Sequence, residues 1–281
     1  MPATRPFLPR VLLVFDFDGT LASDTTDAVL DVYGVSREDW TRDFEEALGQ
    51  GWDEIIRRGE ALIALGRARG EPLSMDLLRH AAERVRLFEG VMEMPARLAH
   101  VAREVRDDIE VECIILSSGF AEVIKATPVP DVFSDLFAST FHFDADDRAV
   151  CVKRIVGHAE KSMYLEAIGK GVGVDGANEP EAAGRDVDEY DRRVLFDQMV
   201  YVGDGASDLH AFGFMLTNGG IGIAIDKDER FDHAAQQRRD QRVDNLARPD
   251  YTAGGELMRS LEHAVRAAAE RIALRALGQG E

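Results

Sequence analysis

Cysteine is nearly absent from this chain: Cys113 and Cys151 are the two thiols among 281 residues. Neither stands in a spacing that suits a metal site or a redox pair, so a disulfide-stapled or zinc-ribbon fold is excluded. Both are expected as buried thiols in strands of a protein working in the reducing cytoplasm. Long apolar runs are absent as well. No stretch of ~18 uninterrupted apolar residues exists, which excludes a membrane-spanning helix. The opening MPATRPFLPR lacks the apolar centre of a signal peptide and reads as a short tail entering the first strand. Basic residues are scarce, 33 Lys and Arg against 52 Asp and Glu, for a formal charge of −19. That balance excludes nucleic acid as a partner, because phosphate backbones are held by Lys and Arg. It does not exclude a small phosphorylated metabolite, since a dication and one or two local cations override the global field inside a cleft. Part of the excess acid lies in 175–191, DGANEPEAAGRDVDEYD, an aperiodic Pro- and Gly-containing stretch that reads as a solvated surface insertion or a partly disordered loop. Internal repeats are absent.

What is there is an alternation of two patterns. Val11–Phe15 (VLLVF) is a short, continuous apolar run ending at Asp16, as in a buried parallel strand. From about Asp24 to Gly90 the period becomes helical, in AVLDVY, WTRDFEEAL, EIIRRGEALIALGRA and MDLLRHAAERVRLF, with breaks near Gly34, Gly49–Gly51 and Gly70–Pro72. The strand–helix alternation then resumes. Pro95–Val105 is predicted as a helix, Val111–Leu116 as a strand and Phe120–Ala126 as the start of another helix. Leu136–Val152 is predicted as extended segments around an acidic turn at Asp144–Arg148. A helix over Lys161–Ile168, strands at Met199–Val202 and Ile221–Ala224, and an amphipathic C-terminal helix carrying Leu257, Leu261, Val265, Ala268 and Ile272 complete the pattern. The expected fold is α/β, a three-layer parallel-sheet core with an inserted helical cap. Residues 1–20 and 95–281 are expected to form the core and 21–94 the cap. A chain of this length suffices for one sizeable core with a smaller appendage.

In a parallel sheet the site lies at the carboxyl ends of the strands. Three such ends carry Asp16-Phe17-Asp18-Gly19-Thr20, Ser117-Ser118-Gly119-Phe120 and Gly203-Asp204-Gly205-Ala206-Ser207-Asp208, and Lys161 opens a helix between the second and third. Four aspartates brought that close cannot all stay ionised without compensation. A lysine supplies one positive charge and Mg²⁺ two; an oxygen-only donor set suits Mg²⁺ and disfavours zinc. Such a site favours attack on a phosphate monoester. The dication shields the anionic ester, one carboxylate displaces the alcohol, and a second acid protonates the leaving oxygen and then activates water. Asp16 and Asp18 can serve as that pair. The Ser117 hydroxyl and the Ser118 and Gly119 amides can hold phosphoryl oxygens, and Lys161 can neutralise charge developing there.

The stretches FDFDGTL, ILSSGF, the helix start at Lys161 and VGDGASDL resemble, in order, the motifs of the haloacid-dehalogenase-like hydrolase superfamily, in its phosphoserine-phosphatase-like branch. With the helical cap between the first two, the resemblance spans nearly the whole chain. It implies a Rossmann-like core and Asp16 as nucleophile with Asp18 as general acid/base. It also implies Mg²⁺ held by the Asp16 carboxylate, the Asp18 carbonyl and Asp204, with Asp208 supporting the metal's waters or Lys161 from behind. One position departs from the pattern. Phosphoserine phosphatases of this branch usually carry a glutamate nine residues beyond the nucleophile, where this chain has Thr25, which counts against phosphoserine as substrate.

Other readings are weaker. Lys153 is a rival to Lys161, but Lys161 starts a helix anchored by Tyr164 and Leu165. Gly171–Gly176 spells G-x-G-x-x-G, yet it follows a helix rather than a strand. Asp144-Ala145-Asp146-Asp147 lacks the glycine and glutamate of a calcium loop and reads as an acidic turn. His158 and His210 lie near the motifs in sequence, and a surface or supporting role is the default. Arg57, Arg58, Glu60 and Arg67 read as a solvated helix face from which one arginine could enter the cleft. Dehalogenase chemistry is disfavoured by Asp18. Phosphonate cleavage, expected to use a cap lysine, is disfavoured because 21–94 contains no lysine. A mutase of the same superfamily and a non-enzymatic phosphoryl-sensing protein remain as alternatives, the second opposed by Asp18 together with the large cap.

Overall fold

The computed structural model describes residues 6–174, 179–225 and 243–279. At the centre of the described residues is a sheet of seven strands. These are β1 (Arg10–Phe15), β2 (Glu110–Phe120), β3 (Asp135–Phe143), β4 (Ala149–Arg154), β5 (Met199–Gly203), β6 (Ile221–Ile225) and β7 (Asn245–Ala247), in the order β4-β3-β2-β1-β5-β6-β7. All neighbouring pairs are parallel except β3–β4, an antiparallel hairpin. The apolar run of β1 is buried on both faces, as its lack of alternation requires. Val11, Leu13 and Phe15 pack with α5 (Met94–Val105), α6 (Ala121–Ile124) and α9 (Glu256–Gln279), whereas Leu12 and Val14 pack with α7 (Glu160–Lys170) and α8 (Leu209–Asn218). The result is the three-layer α/β core that the sequence pattern implies. No helix among the described residues is long and apolar enough to cross a membrane.

Between β1 and β2 lies a helical block: α1 (Thr25–Tyr33), α2 (Arg37–Trp40), α3 (Glu54–Arg69) and α4 (Met75–Ala82). It has its own apolar cluster, with Trp40, Leu62, Leu65 and Leu78 at its centre. Asp24, Ser36, Asp53 and Ser74 cap the four helices with side-chain oxygens, and Gly34 and Gly70 end α1 and α3 in the left-handed conformation.

Two predicted helices are shorter than their periodicity. WTRDFEEAL passes from α2 into a π turn (Thr41–Glu45) and a 3₁₀ turn (Glu46–Leu48). MDLLRHAAERVRLF stops being helical at Ala82 because the next residues are used otherwise. Ser23 N–H donates to Arg86 O (2.9 Å) and Phe88 N–H to Leu21 O (2.9 Å), so the chain leaving the block pairs with the chain entering it. Leu87 and Phe88 join the cluster on the α5–α9 face instead. Strand β7 carries no clear apolar signal in its three residues and was not predicted. Cys113 is buried in β2 as expected, whereas Cys151 is exposed, because edge strand β4 turns that residue to solvent. The acidic turn is confirmed: Asp144 Oδ1 accepts from the Asp146 and Arg148 amides inside the β3–β4 connection. Of the insertion, 175–178 and with them the last two positions of the G-x-G-x-x-G string lie outside the described residues. Pro180, Ala182 and Ala183 are buried, so that part is packed rather than merely solvated.

The helical block is joined to the hairpin. A Cβ on Gly59 of α3 would meet Val152 Cγ2 at 2.3 Å and Phe120 Cζ at 2.9 Å, so only glycine lets the helix approach this closely. Phe120 and Phe141 stack beneath it with ring centroids 4.0 Å apart. Glu60, read from sequence as a solvated residue, accepts the Val152 amide at 3.1 Å and so occupies a donor of the edge strand. Gly59→Ala is expected to destabilise the protein. The overpacking cost of about 1–3 kcal/mol exceeds the helix-propensity gain of about 1 kcal/mol. Equilibrium denaturation checks this, and a stability equal to or above wild type would show that the seam has slack.

Candidate active site

Strand β1 delivers Asp16 to the carboxyl edge of the sheet, where its amide still donates to Val202 O (2.8 Å) in continuation of the β1–β5 ladder. Strand β5 ends one residue before Asp204. Strand β2 ends in a bulge: Ser117 pairs with Ala138 and Phe120 with Ser139, so Ser118 and Gly119 loop out between them. Helix α7 begins at Glu160 and brings Lys161 beneath all three ends. The structure therefore gathers Asp16, Asp18, Ser117, Ser118, Gly119 and Asp204 around one cleft of about 520 Å³, with Lys161 and Asp208 fully buried behind its floor. Lys153, the rival lysine, is exposed on β4.

The floor is a buried ion cluster. Lys161 Nζ, with no exposed side-chain surface, lies 2.9 Å from Asp16 Oδ2 and 2.6 Å from Asp208 Oδ1. Asp208 is saturated. Its Oδ1 also accepts from the Tyr201 hydroxyl (2.5 Å), and its Oδ2 accepts from Asp204 N–H (2.9 Å), Gly205 N–H (3.3 Å) and the Ser207 hydroxyl (3.3 Å). Gly203 makes this approach possible, because a Cβ there would meet Asp208 Oδ2 at 2.4 Å. One oxygen each of Asp16, Asp204 and Asp208 lie within 4.8 Å of one another, a separation that a small cation can bridge. Since the lone pairs of Asp208 are already committed, Asp16 and Asp204 are the members suited to hold such a cation, and Asp208 fixes Lys161 and the Asp204 loop. Three carboxylates against one ammonium leave two negative charges, which a dication would neutralise.

Electrostatics bears the same mark. Burial pushes the Asp16 carboxyl up to about 6; Lys161 opposes the shift, and Asp208 and Asp204 add to it. Burial also pushes Asp18 up to about 7, with Asp24 and Asp16 adding repulsion. Two bonds from Thr25 partly offset that rise: its N–H donates to Asp18 Oδ1 (2.8 Å) and its hydroxyl to Oδ2 (2.9 Å). Burial would discharge Lys161, but Asp16 and Asp208 outweigh it and hold the ammonium protonated. Ser117 Oγ accepts the Gly119 amide at 3.0 Å, so that amide, expected to face a phosphoryl oxygen, instead orients the serine hydroxyl.

The chain covers 74% of its own length and 80% of the relative in an alignment, 25% identical over 219 residues, with pyridoxal phosphate phosphatase PHOSPHO2 of Mus musculus. Among solved structures, a HAD-family hydrolase from Salmonella enterica serovar Typhi superposes with a TM-score of 0.57 at 17% identity, over 94% of this chain and 73% of that one. A phosphoserine phosphatase in its apo form superposes with a TM-score of 0.56 at 19% identity, over 90% of this chain and 98% of that one. The structural likenesses show the fold. No family model matches the chain. The chain is thus similar to a curated phosphatase and shares its fold with solved hydrolases, in keeping with the resemblance its motifs carry.

The cleft also has walls that the sequence motifs do not mark. Asp24, Glu54, Ile55, Arg58, His158 and Ser207 complete the lining. Of the arginines on α3, Arg58 is the one that faces the cleft, bonded to Glu54 Oε1 at 2.9 Å. Across the mouth, His158 Nε2 stands 3.8 Å from Glu54 Oε2. Asp24 caps α1 and takes Arg37 at 2.7 Å; despite burial, Arg37 and the Asp27 amide hold its carboxyl below the usual range. Arg58 is thus the arginine of this helix that enters the cleft, and the i, i+4 spacing of Glu54 and Arg58 is the one further sequence signal of this wall. His210 is exposed on α8. A second surface cavity of about 620 Å³, walled by Arg192, Phe196 and Arg271, lies away from these strand ends and contains none of the motif residues.

The raised carboxyls set the sign of a pH dependence. Folded Asp16 and Asp18 keep protons that the unfolded chain releases near pH 4. The metal-free protein is therefore expected to lose stability as pH rises from about 4 through about 7. Asp18→Asn is expected to flatten the upper part of that slope. Denaturant titrations in chelator across this window test both, and a stability that rises with pH would contradict the shifts.

Proposed function

We propose that this protein is a haloacid-dehalogenase-like hydrolase, a Mg²⁺-dependent phosphomonoesterase acting on a small phosphorylated metabolite through an aspartyl phosphate on Asp16. The observation that carries the reading is the buried Asp16–Lys161–Asp208 cluster, with Asp18 held beside it in a cleft of metabolite size. The Asp16 and Asp204 carboxylates and the Asp18 carbonyl would hold Mg²⁺, and the oxygen donor set and the excess negative charge fit that ion. Bound there, Mg²⁺ supplies charge that lets one anion approach another.

The steps follow from the positions of the side chains. A carboxylate oxygen of Asp16 bonds to phosphorus as the ester P–O bond breaks, and Asp18 gives its proton to the leaving oxygen. A carboxyl pushed up to about 7 carries that proton at neutral pH, which suits an acid in the first step and a base in the second. Water then attacks phosphorus, its proton passes to Asp18, and the P–O bond to Asp16 breaks to release phosphate. The Ser117 hydroxyl, accepting from Gly119, keeps its own hydrogen for a phosphoryl oxygen, with Ser118 beside it. Lys161 balances the charge on Asp16 throughout.

Residues 21–94 act as the cap, entered and left through the paired stem Leu21–Ser23 and Arg86–Phe88, with 1–20 and 95–281 as the core. Arg58, Glu54 and His158 meet the leaving group. Phosphoserine is not the substrate we favour, because Thr25 directs both donors at Asp18 and offers no carboxylate to an ammonium group. The reducing cytoplasm remains the proposed setting.

Hydrolysis of p-nitrophenyl phosphate with and without Mg²⁺ tests the proposal. Turnover is expected with the ion and is lost on chelation; full activity in chelator would overturn the metal requirement. Asp16→Asn is expected to abolish turnover with the fold retained, and substantial residual rate would remove Asp16 from its role. Thr25→Val keeps the amide bond to Asp18 and deletes the hydroxyl bond. It is expected to lower kcat about tenfold, the scale of one hydrogen bond to a charged group, with KM little changed; an unaltered kcat would show that the hydroxyl does not set the Asp18 carboxyl.

A further inference from the structure

We infer that Ser139 is a positioning residue that locks the Ser117–Gly119 bulge and the loop leading to Lys161 into one rigid unit. The inference rests on the phosphatase reading for its kinetic consequences only.

Ser139 lies in the middle of β3 and is fully buried. Its hydroxyl donates to Ser118 O at 3.1 Å and accepts the Val156 amide at 3.0 Å. One oxygen thus joins two segments that reach the cleft from different strands. The first bond acts through the planarity of the peptide group. Ser118 C=O and Gly119 N–H belong to one trans peptide and point in opposite directions. Fixing the carbonyl toward Ser139 therefore aims the Gly119 N–H the other way, onto Ser117 Oγ at 3.0 Å. That bond fills an acceptor position of the Ser117 hydroxyl and leaves its hydrogen for a phosphoryl oxygen.

The second bond acts through the chain. Val156 is buried in the cluster on the α7–α8 face, and Gly157 O accepts the Lys161 amide at 3.1 Å at the start of α7. Holding Val156 N–H holds the approach to Lys161. The bulge itself explains why a side chain is needed. With Ser118 and Gly119 looped out of the β2–β3 ladder, Ser118 O has lost its backbone partner, and Val156 lies past the end of β4. Two buried backbone groups would be left without partners if the hydroxyl were removed.

Ser139→Ala is the test, with Ser134→Ala as its control. The Ser134 hydroxyl bonds Cys113 O (3.1 Å) near the other end of the β2–β3 pair and reaches neither loop. With Mg²⁺ present, Ser139→Ala is expected to raise the inhibition constant of inorganic phosphate and the KM for p-nitrophenyl phosphate together by about tenfold, with a smaller change in kcat. Ser134→Ala is expected to change stability alone. Unchanged phosphate inhibition in Ser139→Ala, or an equal rise in Ser134→Ala, overturns the inference. Hydrogen exchange on the same proteins needs no turnover. Amides of 117–121 and 156–161 are expected to lose protection together in Ser139→Ala, and loss in one segment alone also overturns it. Should Ser139→Ala fail to fold, the wild-type Val156 amide decides: exchange as slow as that of β2 supports the bond, and rapid exchange overturns it. A wild type that hydrolyses no phosphate ester sinks the phosphatase reading while leaving the exchange result to judge Ser139.

Discussion

The ammonium of Lys161, with no exposed surface, sits between Asp16 and Asp208, and the arrangement of the core follows from keeping it there. An ion in that position loses its hydration, and the loss is tolerable only when partners and hydrogen bonds surround it. Asp208 meets that demand by collecting Tyr201, Ser207 and the amides of Asp204 and Gly205. The glycine at 203 is a consequence, since any side chain there would displace the carboxylate. Tyr201, Gly203, Asp204 and Asp208 thus form one unit whose sequence spacing is dictated by one cation.

The sheet order explains why this unit faces Asp16. From β1 the chain builds outward through β2, β3 and β4 on one side and through β5, β6 and β7 on the other. The loops after β1 and β5 diverge at such a switch point and leave a crevice at the carboxyl edge. The parallel ladders β1–β2 and β1–β5 bring the strand ends level to within a residue or two. The helical block follows β1 immediately, so its third helix closes the crevice from above with Glu54, Ile55 and Arg58.

Legibility in the sequence followed the same division. The floor of the site could be read because each motif directly follows an apolar run, and parallel strands leave little freedom in where such residues meet. The walls could not. Arg57, Arg58 and Arg67 look alike in sequence, and only the Gly59 contact with Val152 fixes which face of α3 turns to the cleft. His158 is three residues from Lys161, but its aim depends on a loop without periodicity. Ser139 sits in DLFASTFHF, where a buried hydroxyl reads as ordinary strand alternation. Its use depends on a bulge in a different strand. The end of α4 was missed for a related reason: helical periodicity in AERVRLF was overridden by pairing with Leu21–Ser23.

The seam between the helical block and the β3–β4 hairpin has a further consequence for the cleft. Leu73 O accepts the Ala149 amide (2.8 Å), Asp147 Oδ2 accepts the Met75 amide (3.2 Å), and Glu60 accepts Val152 N–H. Phe120, Phe141 and Ala149 are members of the block's own apolar cluster. On this side the block and hairpin share one core, so α3 cannot lift away without exposing stacked aromatics and stranding edge amides. The register of β3 against β2, bulge included, thereby sets the height of the wall carrying Glu54 and Arg58 as well as the loop carrying Ser117. Floor and wall are tied to the same strand, and its position governs both ends of whatever the cleft holds.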